Sequence, residues 1–123
     1  MDDLMAVVAQ AATVGSPLAL AGFSFGAFVT SHALARLEPQ FTIDKVVLVG
    51  TAVARFTVAP VPAHLHERTL VIHGEQDDTV PLNAVLDWAR PQNLPVCVAP
   101  GVEHFFHGQL PLLKSLVLRH LRS

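Results

Sequence analysis

Four short apolar runs punctuate the chain: Leu18-Ala19-Leu20-Ala21-Gly22-Phe23, Val46-Val47-Leu48-Val49, Leu70-Val71-Ile72 and Val96-Cys97-Val98-Ala99. Each is too short to be a stable isolated helix and has too few polar positions for a strand with one wet face. Runs of this kind suit strands covered on both faces of a parallel sheet. The intervening segments carry helical spacing. Residues 2–14 place Leu4, Val7, Val8, Ala11 and Val14 on one face, and Gly15 with Ser16-Pro17 stops that helix. Further helices are predicted over 25–37, ended by Glu38-Pro39, over 82–90 before Pro91, and over 110–121. The last would bury Leu113, Leu116, Val117 and Leu121. Alternation of strands and helices predicts a three-layer α/β/α sandwich around a mostly parallel sheet of about four strands. Strands are expected at 18–23, 45–50, 69–73 and 96–99, with 51–68 as one long irregular connection.

A chain of 123 residues supports one domain, taken as 1–123. It is 51% hydrophobic and 15% charged, which excludes a disordered chain. Net charge is −2 with no Lys/Arg cluster, so neither nucleic acid nor an anionic membrane is an expected partner. No apolar run approaches the roughly 18 residues a membrane span needs. Met1-Asp2-Asp3 is acidic where a secretory signal is basic. Cys97 is the only cysteine, so an internal disulfide is excluded and a buried strand position is expected for it. A reducing, cytoplasmic setting fits that usage.

Gly22-Phe23-Ser24-Phe25-Gly26 matches G-x-S-x-G where an apolar strand ends and a helix begins. A sharp strand-to-helix turn forces the serine into strained backbone geometry and exposes its Oγ. The flanking glycines let strand and helix approach without Cβ clashes. The backbone N–H of Phe25 would then be one oxyanion donor, helped by the positive end of the helix.

On this arrangement the acid and then the base follow later strands, in loops beyond their carboxyl ends. The loop after the third strand holds Glu75, Asp77 and Asp78; the loop after the fourth holds His104 and His107. Residue chemistry alone leaves each choice open. His64-x-His66 and His104-x-x-His107 pair histidines without a carboxylate or cysteine at ligand spacing, and H-E-x-x-H is absent, so a metal site is not expected. Nor is a cofactor. Within 51–68, Phe56 and Val58 are candidates to line an acyl pocket, with core packing the competing role.

Three segments together resemble the C-terminal part of the small bacterial α/β-superfamily serine hydrolases, esterase-like and akin to dienelactone hydrolases: Leu20 to Ala27, Ile72 to Pro81, and Pro100 to His107. The resemblance covers nearly the whole chain. It implies a truncated α/β-hydrolase fold with Ser24 as nucleophile, Asp77 as acid (H-G-x-x-D-x-x-V-P) and His104 as base (G-x-x-H-F), acting on a small-molecule acyl substrate. It also implies strands upstream of the serine turn and an early loop with a second oxyanion donor, and neither is present here. The edge of strand 18–23 is then expected to be unpaired and open to association with another copy. The shortness of 51–68 predicts an open site without a large cap. An inactive, self-associating module is the competing functional expectation.

Overall fold

A computed structural model describes residues 18–39 and 42–123. The helix expected over 2–14 lies outside them. The described chain runs β1 (Leu18–Phe23), α1 (Phe25–Leu37), β2 (Ile43–Val49), β3 (Thr69–Gly74), α2 (Leu82–Ala89), β4 (Cys97–Ala99) and α3 (Leu110–Arg122). The connection after β2 is not wholly irregular: Ala63–Arg68 forms a 3₁₀ helix, in which Leu65 is buried and its carbonyl accepts the Thr69 hydroxyl.

All pairings are parallel, in the order β1-β2-β3-β4. Val46 to Val49 of β2 pair Leu20 to Phe23, less one register shift near Leu18, and Thr69 to Ile72 on the other side. Strand alternation sends the side chains to two cores. On one face Leu20, Val46, Leu48 and Val71 pack against Ala27, Ala33, Leu34 and Leu37 of α1 and Val85 and Ala89 of α2. On the other, Val47, Val49, Ile72 and Ala99 meet Phe106, with Leu113, Leu116 and Val117 of α3 packed against them. The three layers expected from the sequence are present.

Three expectations need correction. β1 is not covered on both faces: Leu20 is buried, but Ala19, Ala21 and Phe23 on the α3 side are exposed. An apolar run shows that a strand avoids polar residues; it does not show that a helix lies over it. α3 packs on the face that carries Val47, Val49 and Ile72 of β2 and β3, and leaves β1 open. Of the four α3 residues expected to be buried, Leu113, Leu116 and Val117 are only half-buried, and Leu121, near the end of α3, is 39% exposed. Cys97 is half-buried on the last, three-residue strand.

Candidate active site

The residues singled out by motif lie at the carboxyl ends of β1, β3 and β4, where the parallel sheet points its loops the same way. Ser24 follows β1 and has φ 56° and ψ −116°. That region is unfavourable for a residue with a Cβ, costing about 1–3 kcal/mol, and persists only when its surroundings impose it. The surroundings are visible. Ser24 N–H donates to the Val49 carbonyl, and the Ser24 carbonyl accepts from Ala27 N–H at 3.0 Å. A Cβ on Gly22 would lie 2.3 Å from the Gly26 carbonyl oxygen and 2.6 Å from Thr30 Oγ1. Only glycine at 22 lets the helix return this closely on the strand. Gly26 differs: a Cβ there would meet nothing within 4 Å. The crowding expected of both glycines belongs to the first alone.

The open choice among acids resolves by burial and contact. Glu75 is exposed, and its carboxylate accepts Gly101 N–H. Asp78 is exposed. Asp77 is buried, with its Oδ2 2.6 Å from His104 Nδ1. Its Oδ1 accepts the N–H groups of Thr79 and Val80, at 2.9 and 2.6 Å. His104 is buried, and its Nε2 lies 3.1 Å from Ser24 Oγ. His107 is exposed, beside Glu103. Ser24, His104 and Asp77 therefore form one continuous hydrogen-bonded line.

The loops that carry the acid and the histidine are joined. Glu75 N–H donates to the Ala99 carbonyl and Gln76 N–H to that of Val102, both at 2.9 Å. A Cβ on Gly74 would sit 2.3 Å from the Val102 carbonyl oxygen. Gly74 lies inside the H-G-x-x-D motif, and its task is to let the two loops touch. Beyond the contact, Glu103 accepts backbone N–H groups of Phe105 and His107. Those bonds, Phe105 first, hold its carboxyl below the ordinary carboxylate value.

At the start of α1, Ala27 and Phe28 N–H turn to the Ser24 carbonyl, whereas the N–H of Phe25 has no hydrogen-bond partner among the described residues. The first N–H groups of any helix lack intrahelical acceptors, so among the described residues this donor is left without an acceptor beside the serine. The Phe25 ring is 53% exposed and forms an aromatic group with Phe28 and Phe56, at centroid distances of 5.6 and 5.1 Å. Phe56 also stacks on Phe28. Val58 is buried, and its carbonyl accepts Trp88 Nε1–H; its side chain is packing, not an open wall. On the other side of Ser24, the Phe23 ring lies 5.1 Å from the His104 ring and 6.1 Å from Phe105. His64 pairs with Glu38, and His66 bonds the Val61 carbonyl. Among the described residues no three His, Cys, Asp or Glu side chains are grouped to hold a metal ion.

A strained serine at a strand-to-helix turn, followed by acid and histidine after later strands of a parallel sheet, defines the α/β-hydrolase class. Solved structures agree. The chain is 34% identical to XC6422 of Xanthomonas campestris, described as an α/β serine hydrolase without lid, with a TM-score of 0.79. It is 26% identical to an α/β serine hydrolase homologue from Coxiella burnetii, with a TM-score of 0.72. Est1E of Butyrivibrio proteoclasticus, at 17% identity and a TM-score of 0.67, shares the fold. No protein-family model and no curated protein matches the sequence. The chain has the α/β serine hydrolase fold; the matches cover 98% of it but only 55% and 56% of the Xanthomonas and Coxiella chains. It thus spans about half the length of these relatives.

Proposed function

We propose that this chain is the catalytic part of a serine hydrolase that cleaves ester or related acyl bonds of small molecules. The observation that carries the reading is the line from Ser24 Oγ through His104 to Asp77, at 3.1 and 2.6 Å. In this reading Ser24 Oγ attacks the acyl carbon as its proton passes to His104 Nε2. Asp77 holds the His104 tautomer that leaves Nε2 free to accept, and offsets the charge on the imidazolium. The Phe25 N–H donates to the tetrahedral oxyanion. His104 returns its proton to the leaving group, leaving an acyl-Ser24 ester. Water, deprotonated by His104, then releases the acid and restores Ser24. Phe56, in the aromatic group beside Phe25, is the candidate acyl-side wall; buried Val58 is not. The Xanthomonas relative is an α/β serine hydrolase without lid, which supports an open site here too.

A fluorophosphonate probe tests the reading. It should label the wild-type chain and not Ser24→Ala; equal labelling of both would sink it.

A second reading, self-association, is favoured by β1. Among the described residues the strand has one neighbour, and beside it lies an apolar cavity of about 470 Å³ lined by Ala21, Phe23, Val47, Phe105 and Leu113, among others. Unpaired apolar edges template pairing with another chain. Light scattering decides: a clean monomer with fast esterase turnover removes this reading.

A further inference from the structure

His73 is the last residue but one of β3 and is fully buried, yet the acyl-transfer scheme gives it no task. Its Nε2 lies 2.7 Å from the Val80 carbonyl oxygen and 3.4 Å from Asp77 Oδ2. Both neighbours can only accept, since the carbonyl has no hydrogen and the carboxylate is the acceptor of His104. The proton must therefore sit on Nε2. The other ring nitrogen, Nδ1, is buried with no hydrogen-bond partner among the described residues. That fits the same assignment: a lone pair left unpaired is tolerated there, whereas an N–H would be a buried donor without an acceptor. An unpaired buried nitrogen still carries a desolvation cost, which leucine or phenylalanine would not.

The Nε2 proton has a clear destination. Val80 is the residue whose N–H donates to Asp77 Oδ1, and its carbonyl is the one His73 holds. The peptide segment around Asp77 is thus clasped from two sides. Asp77 Oδ1 gathers the Thr79 and Val80 N–H groups, and His73 pins the carbonyl of the same Val80. With Oδ1 committed and the loop closed, Oδ2 is left aimed at His104.

We propose that His73 is a positioning residue. Through its Nε2–H bond to the Val80 carbonyl it holds the acid loop in the one arrangement that presents Asp77 Oδ2 to His104 Nδ1. The proposal rests on the triad reading for its importance to activity, but its geometry can be tested apart from turnover. The ionisable groups around the pair are His73 and Asp77 themselves, His104, and Glu103 on the histidine loop.

The first measurement needs no variant. Imidazole ¹⁵N–¹H NMR of the wild-type chain should show His73 protonated on Nε2 alone, and a strongly downfield Nδ1 proton on His104. A His73 protonated on Nδ1 overturns the proposal. The second compares His73→Leu, His73→Asn and His73→Gln. Leu fills volume without a donor, and Asn is polar but too short to reach the Val80 carbonyl. The Gln side-chain amide reaches further and keeps a donor. Leu and Asn should lose the downfield His104 signal and slow fluorophosphonate labelling at least tenfold, and Gln should recover much of both. If folded Leu or Asn variants keep the His104 signal, His73 is packing alone and the proposal fails. If wild type shows both NMR signatures but Ser24 does not react with the probe, the positioning role stands and the hydrolase reading fails.

Discussion

At Ser24 two backbone hydrogen bonds accompany a close approach of strand and helix; at Asp77 and His104 a close approach at Gly74 is joined by a much denser set of hydrogen bonds. The turn after β1 spans five residues, with Gly22 packed where a Cβ would come 2.3 Å from a backbone oxygen. The acid and histidine loops lie 27 residues apart in sequence. They are joined by backbone donors, carboxylate acceptors and the clasp at Val80. The first is mainly steric and strains Ser24 itself, while the second is mainly polar and places its left-handed residue, Phe106 at φ 55°, outside the hydrogen-bonded line. Ser24 is half-buried, and its backbone is held by the Val49 carbonyl and the Ala27 N–H. Its partners are buried, and buried polar groups must be satisfied by something nearby.

The difference can be broken at several points. The largest effect is expected on the polar side. Asp77→Asn keeps the shape of the side chain but offers His104 an amide in place of a charge. Labelling of Ser24 should fall by roughly 10⁴-fold while circular dichroism is unchanged; a loss under tenfold would show that Asp77 does not orient His104. Next come the glycines. Gly22→Ala should destabilise the fold by about 1–3 kcal/mol or more through overpacking. Gly26→Ala, with open space around its Cβ, should be neutral or gain about 0.5–1 kcal/mol. Equal denaturation midpoints for the two variants would remove the steric account of the turn.

A subtler test separates strain from chemistry. Ser24→Ala and Ser24→Gly both remove the hydroxyl, but only glycine accepts φ 56° without penalty. The glycine variant should be more stable by about 1 kcal/mol, the strain of such a site less the entropy cost of glycine. A chain in which alanine is the more stable has no stored strain at Ser24.

The smallest effect belongs to Glu103, whose carboxyl is held below its ordinary pKa by the Phe105 and His107 N–H groups. A depressed carboxyl adds stability that is present above its unfolded pKa, about 4.3, and lost as pH falls through the lower folded value. Thermal unfolding against pH should therefore show Glu103→Gln losing slightly less stability than wild type below about pH 4.3. Identical acid limbs would show that the loop gains nothing from the charge.

The same contrast explains what could be read in advance. Ser24 was legible because its constraint is local: an apolar run, two glycines and a helix within ten residues. Asp77 was not separable from Glu75 and Asp78 by residue type. What selects it is the turn it closes, and Asp followed two and three residues later by backbone N–H groups it can accept is a pattern that would have pointed to it. His104 and His107 differ in burial, and what His104 meets there is Asp77 and Ser24, 27 and 80 residues away in sequence. The sheet order and layers were legible from alternation. The bare side of β1 was not, because hydrophobicity records what a strand avoids and is silent on what covers it. Leu121 failed for the same reason at the far end of α3. Gly74 and His73 sat in plain view within a motif, but their tasks appear only when the neighbouring loop and the Val80 carbonyl are in place.

The 80-residue separation of Ser24 and His104 has a kinetic consequence. All described strand pairs are parallel, so none can form as a tight hairpin, and each requires a crossover to close. Such long-range closures are slow and come late in folding. The hydrogen bond between the two side chains should then appear only once β4 has docked and the loop carrying His104 has come round to the end of β1. The contact between Ser24 and His104 is thus a clock for the completion of the fold: its formation marks the arrival of the last described strand.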